Sequence, residues 1–182
     1  HHCVLTRLTE HITLWAKKSV KHGVQEKNYC KMKIYIDADG CPVVSQTIRI
    51  AEKFGISCVI ICDTSHRIEY DNTETIIVEK GADSADFRLV NLIQKNDIAV
   101  TQDYGLAAMC LSKNAIVINQ NGKRYSEENI SGLLEFRAIS KKIRNSGGRL
   151  KGQSKRTAQQ NKDFENSLIQ LLIQKQQAEV RL

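Results

Sequence analysis

The chain has 182 residues, with 27 Lys and Arg against 20 Asp and Glu and a formal net charge of +7. A composition of 41% hydrophobic and 26% charged residues is typical of a soluble globular protein, and the length suits one domain. The longest apolar runs, such as residues 56–62, hold about seven residues, so they are far shorter than the roughly 20 that a membrane span needs. One Pro, ten Gly and no internal period exclude collagenous, repeat and low-complexity proteins.

The predicted elements alternate between strands and helices along the chain. Strands are predicted at 33–37, 56–62, 75–79, 97–101 and 115–119. Helices are predicted from 43 to 55, within 81–97 after a turn and an N-cap, within 102–114, from 126 towards 144, and near 163–175. The pair Asn121-Gly122 predicts a turn after the fifth strand. This alternation predicts an α/β protein, a single three-layer α/β/α domain with a mainly parallel sheet of about five strands.

The ends of the chain differ from its centre in charge. Residues 1–31 carry six basic and two acidic side chains, residues 32–136 carry ten and fifteen, and residues 137–182 carry eleven and three. We interpret 32–146 as the folded domain and 147–182 as a basic, Gly-containing segment with a C-terminal helix that packs on the domain or extends it. An acidic body beside a basic tail indicates a polyanionic partner.

Residues 1–31 are interpreted as a leader or tag outside the core. They begin with His1-His2, lack the apolar stretch of a signal peptide, and precede Met32, which opens a strand-like segment. The alternative is a native amphipathic helix over 5–20 that docks on the body or on a partner. Six cysteines without a secretory signal predict reduced thiols and a cytoplasmic location. Only His66 follows Met32, which argues against zinc.

Acidic residues follow three of the predicted strands. Asp37 and Asp39 follow the first strand, Asp83 and Asp86 the third, and Asp103 the fourth. Because ligands of parallel α/β sheets bind beyond the carboxyl ends of the strands, these carboxylates are expected at one edge. They would repel one another unless a cation lies among them. Oxygen ligands favour Mg²⁺ or Mn²⁺, ions that can activate water at a phosphodiester. The alternative for each residue is a helix cap or turn.

The same edge is expected to carry further polar side chains that could bind substrate: Ser65, His66, Arg67, Ser84 and Thr101. His66 and Arg67 are candidates for holding a phosphate, and His66 is also a candidate for protonating a leaving group. For the tripeptide that begins at Ser65, the alternative is a solvated loop.

The basic tail is the second candidate region for substrate binding. Its cations are Lys141, Lys142, Arg144, Arg149, Lys151, Lys155 and Arg156. Contacts of this kind hold phosphates without reading sequence and weaken with salt; the alternative is a solvated linker and helix face. Aromatic residues make up only 5% of the chain, which predicts no base-stacking platform for single strands. The absence of a Gly-rich phosphate loop argues against a nucleotide cofactor.

Four segments in order carry a family resemblance: YIDADGCPV, SHRI, GADSADF and TQDYGLAA. From Met32 to about residue 173 the chain resembles the YaiI/YqxD family of uncharacterised bacterial proteins, which is associated with the PIN-like nuclease superfamily. The resemblance implies a PIN-like fold and an acidic site. Asp37 matches the acid after the first strand, Asp83 or Asp86 the acid at a middle helix, and Thr101 with Asp103 a T-x-D motif. The tail lacks the family's Gly-Gly-Pro run.

These observations predict a Mg²⁺- or Mn²⁺-dependent nuclease that cleaves RNA in preference to DNA. The predicted metal ligands are Asp37, Asp39, Asp83 and Asp103, with Asp86 as a further ligand or as a partner of the ligands. The alternative is a non-catalytic module that binds nucleic acid or the ribosome on the same fold. A third possibility is an enzyme of small phosphorylated molecules, which the missing phosphate loop argues against.

Overall fold

The computed structural model describes residues 32–39, 41–64, 70, 73–79, 84–147 and 155–180. These residues all belong to one compact unit, Met32–Leu182. The predicted leader, 1–31, lies outside the described residues.

Six strands form one sheet in the order β3-β2-β1-β4-β5-β6. Neighbouring strands are parallel except β5 and β6, which are antiparallel. The strands are β1 (Lys33–Asp37), β2 (Ser57–Asp63), β3 (Glu74–Val78), β4 (Ile98–Val100), β5 (Ile116–Ile118) and β6 (Arg124–Tyr125). The mainly parallel sheet is confirmed. The predicted turn after β5 is a hairpin whose second arm, β6, adds a sixth strand that is too short to show a pattern of its own.

Five helices surround the sheet: α1 (Val44–Phe54), α2 (Ser84–Leu92), α3 (Tyr104–Ser112), α4 (Glu127–Asn145) and α5 (Ala158–Val180). Helix α5 is longer than the predicted 163–175 because its polar first turn carries no apolar period. Hydrogen bonds between Thr157 and Gln160 mark its start instead. Among the described helices, none combines the length and apolar content that a membrane crossing requires.

Alternate residues of the strands face opposite helix layers. On one face, Tyr35, Val59 and Val117 form a buried cluster with Leu89 of α2 and Leu106 of α3. The other face carries the buried isoleucines of β1, β2 and β5, beneath the packed pair of α1 and α5: Ile34, Ile36, Ile60 and Ile118. The protein is therefore a three-layer α/β/α domain, as predicted.

The cysteines that the structure describes belong to the core. Cys58 and Cys62 are buried on β2, and Cys110 is buried on α3; all are free thiols. Burial raises the pKa of Cys58 and of Cys110 to about 12. These thiols stay protonated at neutral pH, so they pack as small apolar groups.

Candidate functional site

The centre of the sheet contains a topological switch point, where two neighbouring parallel strands are followed by helices on opposite faces of the sheet. Strands β1 and β4 are neighbours, but β1 leads to α1 on one face and β4 leads to α3 on the other. In open α/β sheets such a switch point leaves a crevice outside the carboxyl ends of the strands, and ligands bind there. Asp37 ends β1 and Thr101 follows β4, so both lie at this crevice.

A hydrogen-bonded chain of three residues crosses the switch point. The hydroxyl of the fully buried Thr101 donates to Asp37 Oδ2 at 2.6 Å. The same hydroxyl oxygen accepts from the backbone N–H of Asp103 at 3.0 Å. Thr101 therefore fixes the Asp37 carboxyl and the backbone that carries Asp103 at the same time.

Asp37 is a buried carboxyl among other carboxyls. Its exposed fraction is 7%, and this burial is the main reason that its pKa is raised from 3.8 to about 6. The Thr101 hydroxyl lowers the pKa, while the charges of Asp86, Asp39 and Asp103 raise it further. Charges from the acids that follow β1, β3 and β4 thus act on one group.

Asp103 is a helix cap that also forms an ion pair. Its Oδ1 accepts from the backbone N–H groups of Gly105 at 2.6 Å and Leu106 at 3.1 Å, which caps α3. Its Oδ2 accepts from Arg137 Nη1 of α4 at 2.7 Å. A Cβ at position 105 would lie only 3.0 Å from Asp103 Oδ1, so glycine suits this close approach. The capping alternative is correct for Asp103 in this structure.

Asp39 connects the exit of β1 to the end of β2. Both of its carboxylate oxygens lie within hydrogen-bonding distance of the backbone N–H of Asp63, at 3.1 and 3.2 Å. This contact ties Asp39 to the end of β2, and the carboxylate remains close enough to raise the pKa of Asp37.

The residues of this edge match a hard cation in chemistry, because every candidate donor is an oxygen. Within the described residues, however, no three His, Cys, Asp or Glu side chains are close enough together to hold a metal ion. Asp103 is engaged by Arg137, Asp39 by Asp63, and Asp83 lies outside the described residues. Metal binding therefore stays a prediction, which centres on Asp37 and the like charges around it.

A cleft of about 660 Å³ opens at this edge. Asp37, Asp39 and Asp103 lie at one side of it. The loop after β5 and α4 supply further lining residues: Asn119, Gln120, Asn121, Phe136, Arg137, Ser140 and Arg144. Tyr104 and Tyr125 also line the cleft, and their rings meet edge to face with centroids 6.0 Å apart.

Arg156 holds the loop that forms one wall of the cleft. Its guanidinium donates to the Gln120 carbonyl at 2.5 Å and to Asn121 Oδ1 at 2.9 Å. It also donates to Asn161 Oδ1 at 2.6 Å and to the Gln160 carbonyl at 3.3 Å. Arg156 thus joins the loop to the first turn of α5, and its predicted contact with substrate stays a prediction.

The remaining predicted site residues divide into three groups. Six lie outside the described residues: Ser65, His66, Arg67, Asp83, Arg149 and Lys151. Ser84 begins α2, and its side chain is not among those described. Lys141, Lys142, Arg144 and Lys155 are exposed, but among these only Arg144 lines the cleft.

Several lining residues were not predicted from the sequence. Asn119 follows β5, so the strand-end rule that selected the acids also applies to it. Phe136 and Arg137 lie in the middle of a helix, and only the packing of α4 against α3 brings them to the cleft. The low aromatic content predicted no stacking surface, yet Phe136 is 66% exposed beside the acids.

The chain is an α/β protein that belongs to the YaiI/YqxD family. Residues 35–174 match the family described as "Uncharacterized BCR, YaiI/YqxD family". A UPF0178 protein of Exiguobacterium sibiricum is 46% identical over 144 residues, which cover 79% of this chain and 99% of that protein. A UPF0178 protein of Clostridium acetobutylicum is 43% identical over 144 residues, covering 78% of this chain and 97% of the relative. No solved structure matches this chain.

Proposed function

We propose that this protein is a divalent-metal-dependent phosphodiesterase of nucleic acid, with Asp37 as its central carboxylate and RNA as its preferred substrate. One observation carries the proposal. Asp37 is a buried carboxyl at the switch point of the sheet, held there by Thr101 at 2.6 Å and surrounded by the charges of Asp39, Asp86 and Asp103. Carboxyls gathered at a ligand-binding edge are stabilised in their ionised form by a cation.

The residues of the chain have distinct roles in this proposal. Asp37 and Asp103 would hold the ion, with Asp39, Asp86 and Asp83 as the other candidate ligands. When bound, Mg²⁺ or Mn²⁺ supplies an activated water and neutralises charge at the phosphodiester. Thr101 keeps the Asp37 carboxyl in one orientation through its hydroxyl.

Arg137 supports a phosphate-containing substrate in the same cleft. Its guanidinium is paired with Asp103 at the protein surface, where its side chain is 53% exposed. Guanidinium groups bind phosphate oxygens with two parallel hydrogen bonds, so a substrate phosphate offers Arg137 an alternative partner. Release of Asp103 by this exchange would return a carboxylate oxygen to the site.

The resemblance to PIN-like nucleases adds to this proposal. Asp37 matches the acid after the first strand of those nucleases, and Thr101 with Asp103 matches their T-x-D motif. The hydrogen bonds among these three residues give the motif a physical reason, because the threonine positions both acids.

The proposal is tested with the full chain, end-labelled RNA and DNA of the same sequence, and Mn²⁺, Mg²⁺ or EDTA. We expect cleavage with Mn²⁺ or Mg²⁺ and none with EDTA. Asp37→Asn should lower the rate at least about a hundredfold, the size usual for loss of a group that stabilises charge in the transition state. Asp103→Asn should also lower the rate, although Asn still caps a helix well and keeps α3 in place.

The matched control is Asp97→Asn, an equally small change at another buried carboxyl, 4% exposed and located before β4 rather than after it. Rates are compared at a temperature where circular dichroism shows all variants to be folded. Equal rates for Asp37→Asn and the wild type would contradict the proposal.

A non-catalytic nucleic-acid-binding module is the second candidate. It is favoured by the observation that, among the described residues, no three acids are close enough to hold a metal ion. Binding of RNA without cleavage in either metal would support the module and overturn the nuclease.

A further inference from the structure

Phe136 is an exposed aromatic ring in a polar cleft. It lies on α4 with 66% of its surface exposed, and it lines the same cleft as Asp37 and Asp103. Ile139 on the same helix is 56% exposed but does not line the cleft. Large apolar side chains that stay exposed beside polar groups mark binding surfaces, so Phe136 is a candidate contact for a flat ligand.

A cation lies on the same face of the helix as Phe136. Ser140 and Arg144 follow Phe136 at spacings of four residues, which places the three side chains along one face. Residues 137–147 contain four basic and no acidic side chains. Of these four, Arg137 and Arg144 line the cleft, so the wall formed by α4 offers one ring and two guanidinium groups, which complement a polyanion.

The loop after β5, which also lines the cleft, carries an amide oxygen that has no hydrogen-bond partner among the described residues. Among the described side chains, Gln120 Oε1 is buried without a hydrogen bond. Asn119 Oδ1, in contrast, accepts from the backbone N–H groups of Asn121 and Lys123. Because Gln120 Oε1 is covered by the protein, this oxygen is not a contact for a ligand, and the candidate contacts are those of α4.

We infer that the cleft binds one single strand of nucleic acid, with a base stacked on Phe136 and the backbone held by Arg144. A single strand is required because a base must offer its flat face to the ring, and in a duplex that face is covered by the next base pair. The inference rests on the proposed function, since it names the form of nucleic acid that reaches Asp37.

Binding is measured in EDTA, so that its outcome is independent of cleavage. The probes are a fluorescent 12-nucleotide RNA of mixed sequence, the same RNA annealed to its complement, and an abasic strand with the same number of phosphates. We expect the single strand to bind at least about tenfold more tightly than the duplex and the abasic strand. Equal affinity for the single strand and the abasic strand would overturn the stacked base.

Variants of α4 distinguish stacking of a base on the Phe136 ring from a general apolar contact with the helix. Phe136→Ala should weaken binding of the single strand about tenfold, Phe136→Leu nearly as much, and Phe136→Trp should keep or improve it. Ile139→Ala is the matched control, with the same helix and similar exposure, and should leave the affinity unchanged. If Phe136→Ala and Ile139→Ala bind alike, or if Phe136→Leu binds like the wild type, the inference fails.

Charge contacts are tested by Arg144→Gln against Lys141→Gln, two exposed cations of which only Arg144 lines the cleft. Arg144→Gln should weaken binding more and should reduce its dependence on salt. Equal effects of the two variants would overturn the predicted path of the backbone.

The two proposals can fail separately. Base-dependent binding in EDTA without cleavage in Mn²⁺ or Mg²⁺ would support the single-strand site and contradict the proposed nuclease activity. Cleavage that is lost in Asp37→Asn but equal in rate for Phe136→Ala and the wild type would support the nuclease and overturn the role of Phe136.

Discussion

The two ends of the central strands each carry a buried aspartate, and the two residues differ in their partners. Asp97 lies before β4 and is 4% exposed. Its two oxygens accept from the backbone N–H groups of Lys33 and Gln94, both at 2.9 Å. Asp37 lies at the end of β1 and is 7% exposed. It accepts from the Thr101 hydroxyl and is surrounded by other carboxyls.

This difference separates a structural carboxylate from a candidate functional one. Asp97 joins the start of β1 to the start of β4, and each of its oxygens has a fixed backbone donor. Asp37 is desolvated by burial and also has like charges as neighbours, so its ionised form is costly in the absence of a cation. Burial alone therefore does not identify the site; the partners of the buried group do.

The largest effect on stability is expected at the structural carboxylate. Asp97→Ala leaves two backbone N–H groups without acceptors, and each buried unpaired donor costs about 1–3 kcal/mol. We expect the free energy of unfolding in urea to fall by about 3 kcal/mol. The control is Asp163→Ala at an exposed position of α5, which should change stability by less than about 0.5 kcal/mol. Similar losses of unfolding free energy in both variants would contradict the structural role assigned to Asp97.

An effect of opposite sign, no larger than that of Asp97→Ala, is expected for Asp37→Asn in EDTA. The pKa of Asp37 is raised from 3.8 to about 6 in the folded protein, so the folded state binds the proton more tightly than the unfolded state. This group therefore destabilises the protein above pH 6, and the penalty disappears as the pH falls through 6 to below 3.8.

The neutral variant should then be more stable than the wild type at pH 8 by up to about 3 kcal/mol, the free energy that corresponds to a pKa raised from 3.8 to about 6, with no difference near pH 3.5. Urea unfolding at the two pH values measures both quantities. A variant that is less stable than the wild type at pH 8 would show that the Asp37 charge is compensated in the folded protein.

The smallest effect is expected at Asp103, which lies at the surface of the same site. Its ion pair with Arg137 has side chains that are 32% and 53% exposed, and exposed pairs contribute little because water and salt screen them. Arg137→Gln should change the free energy of unfolding by less than about 1 kcal/mol. A loss above about 2 kcal/mol would mean that burial does not distinguish Asp37 from Asp103.

The sheet was predictable because buried parallel strands are continuous apolar runs that alternate with periodic helices. Strand β2 is such a run, and the predicted 56–62 differs from Ser57–Asp63 by one residue at each end. Strand order is not encoded in any local pattern, since it depends on which strands pair across long connections. Strand β6 was not predicted because two residues are too few to show an alternating pattern.

The acidic part of the site was predictable from the rule that strand ends meet at one edge. Asp37 and Asp103 follow strands directly, and the hydroxyl of Thr101 connects them. The wall formed by α4 was not predictable, because Phe136 reaches the cleft only through the packing of that helix on α3. The sequence of the basic tail likewise gave no indication that Arg156 forms hydrogen bonds within the protein.

The contacts of Arg156 have a consequence for how the C-terminal part of the chain can be studied. A chain shortened to end before this residue would lose the two hydrogen bonds from Arg156 that fix the loop around Gln120. It would also lose Phe164, Leu168 and Leu172, which are fully buried. Truncation therefore removes part of the fold together with the basic charge, so only single side-chain replacements can measure what that charge contributes to binding.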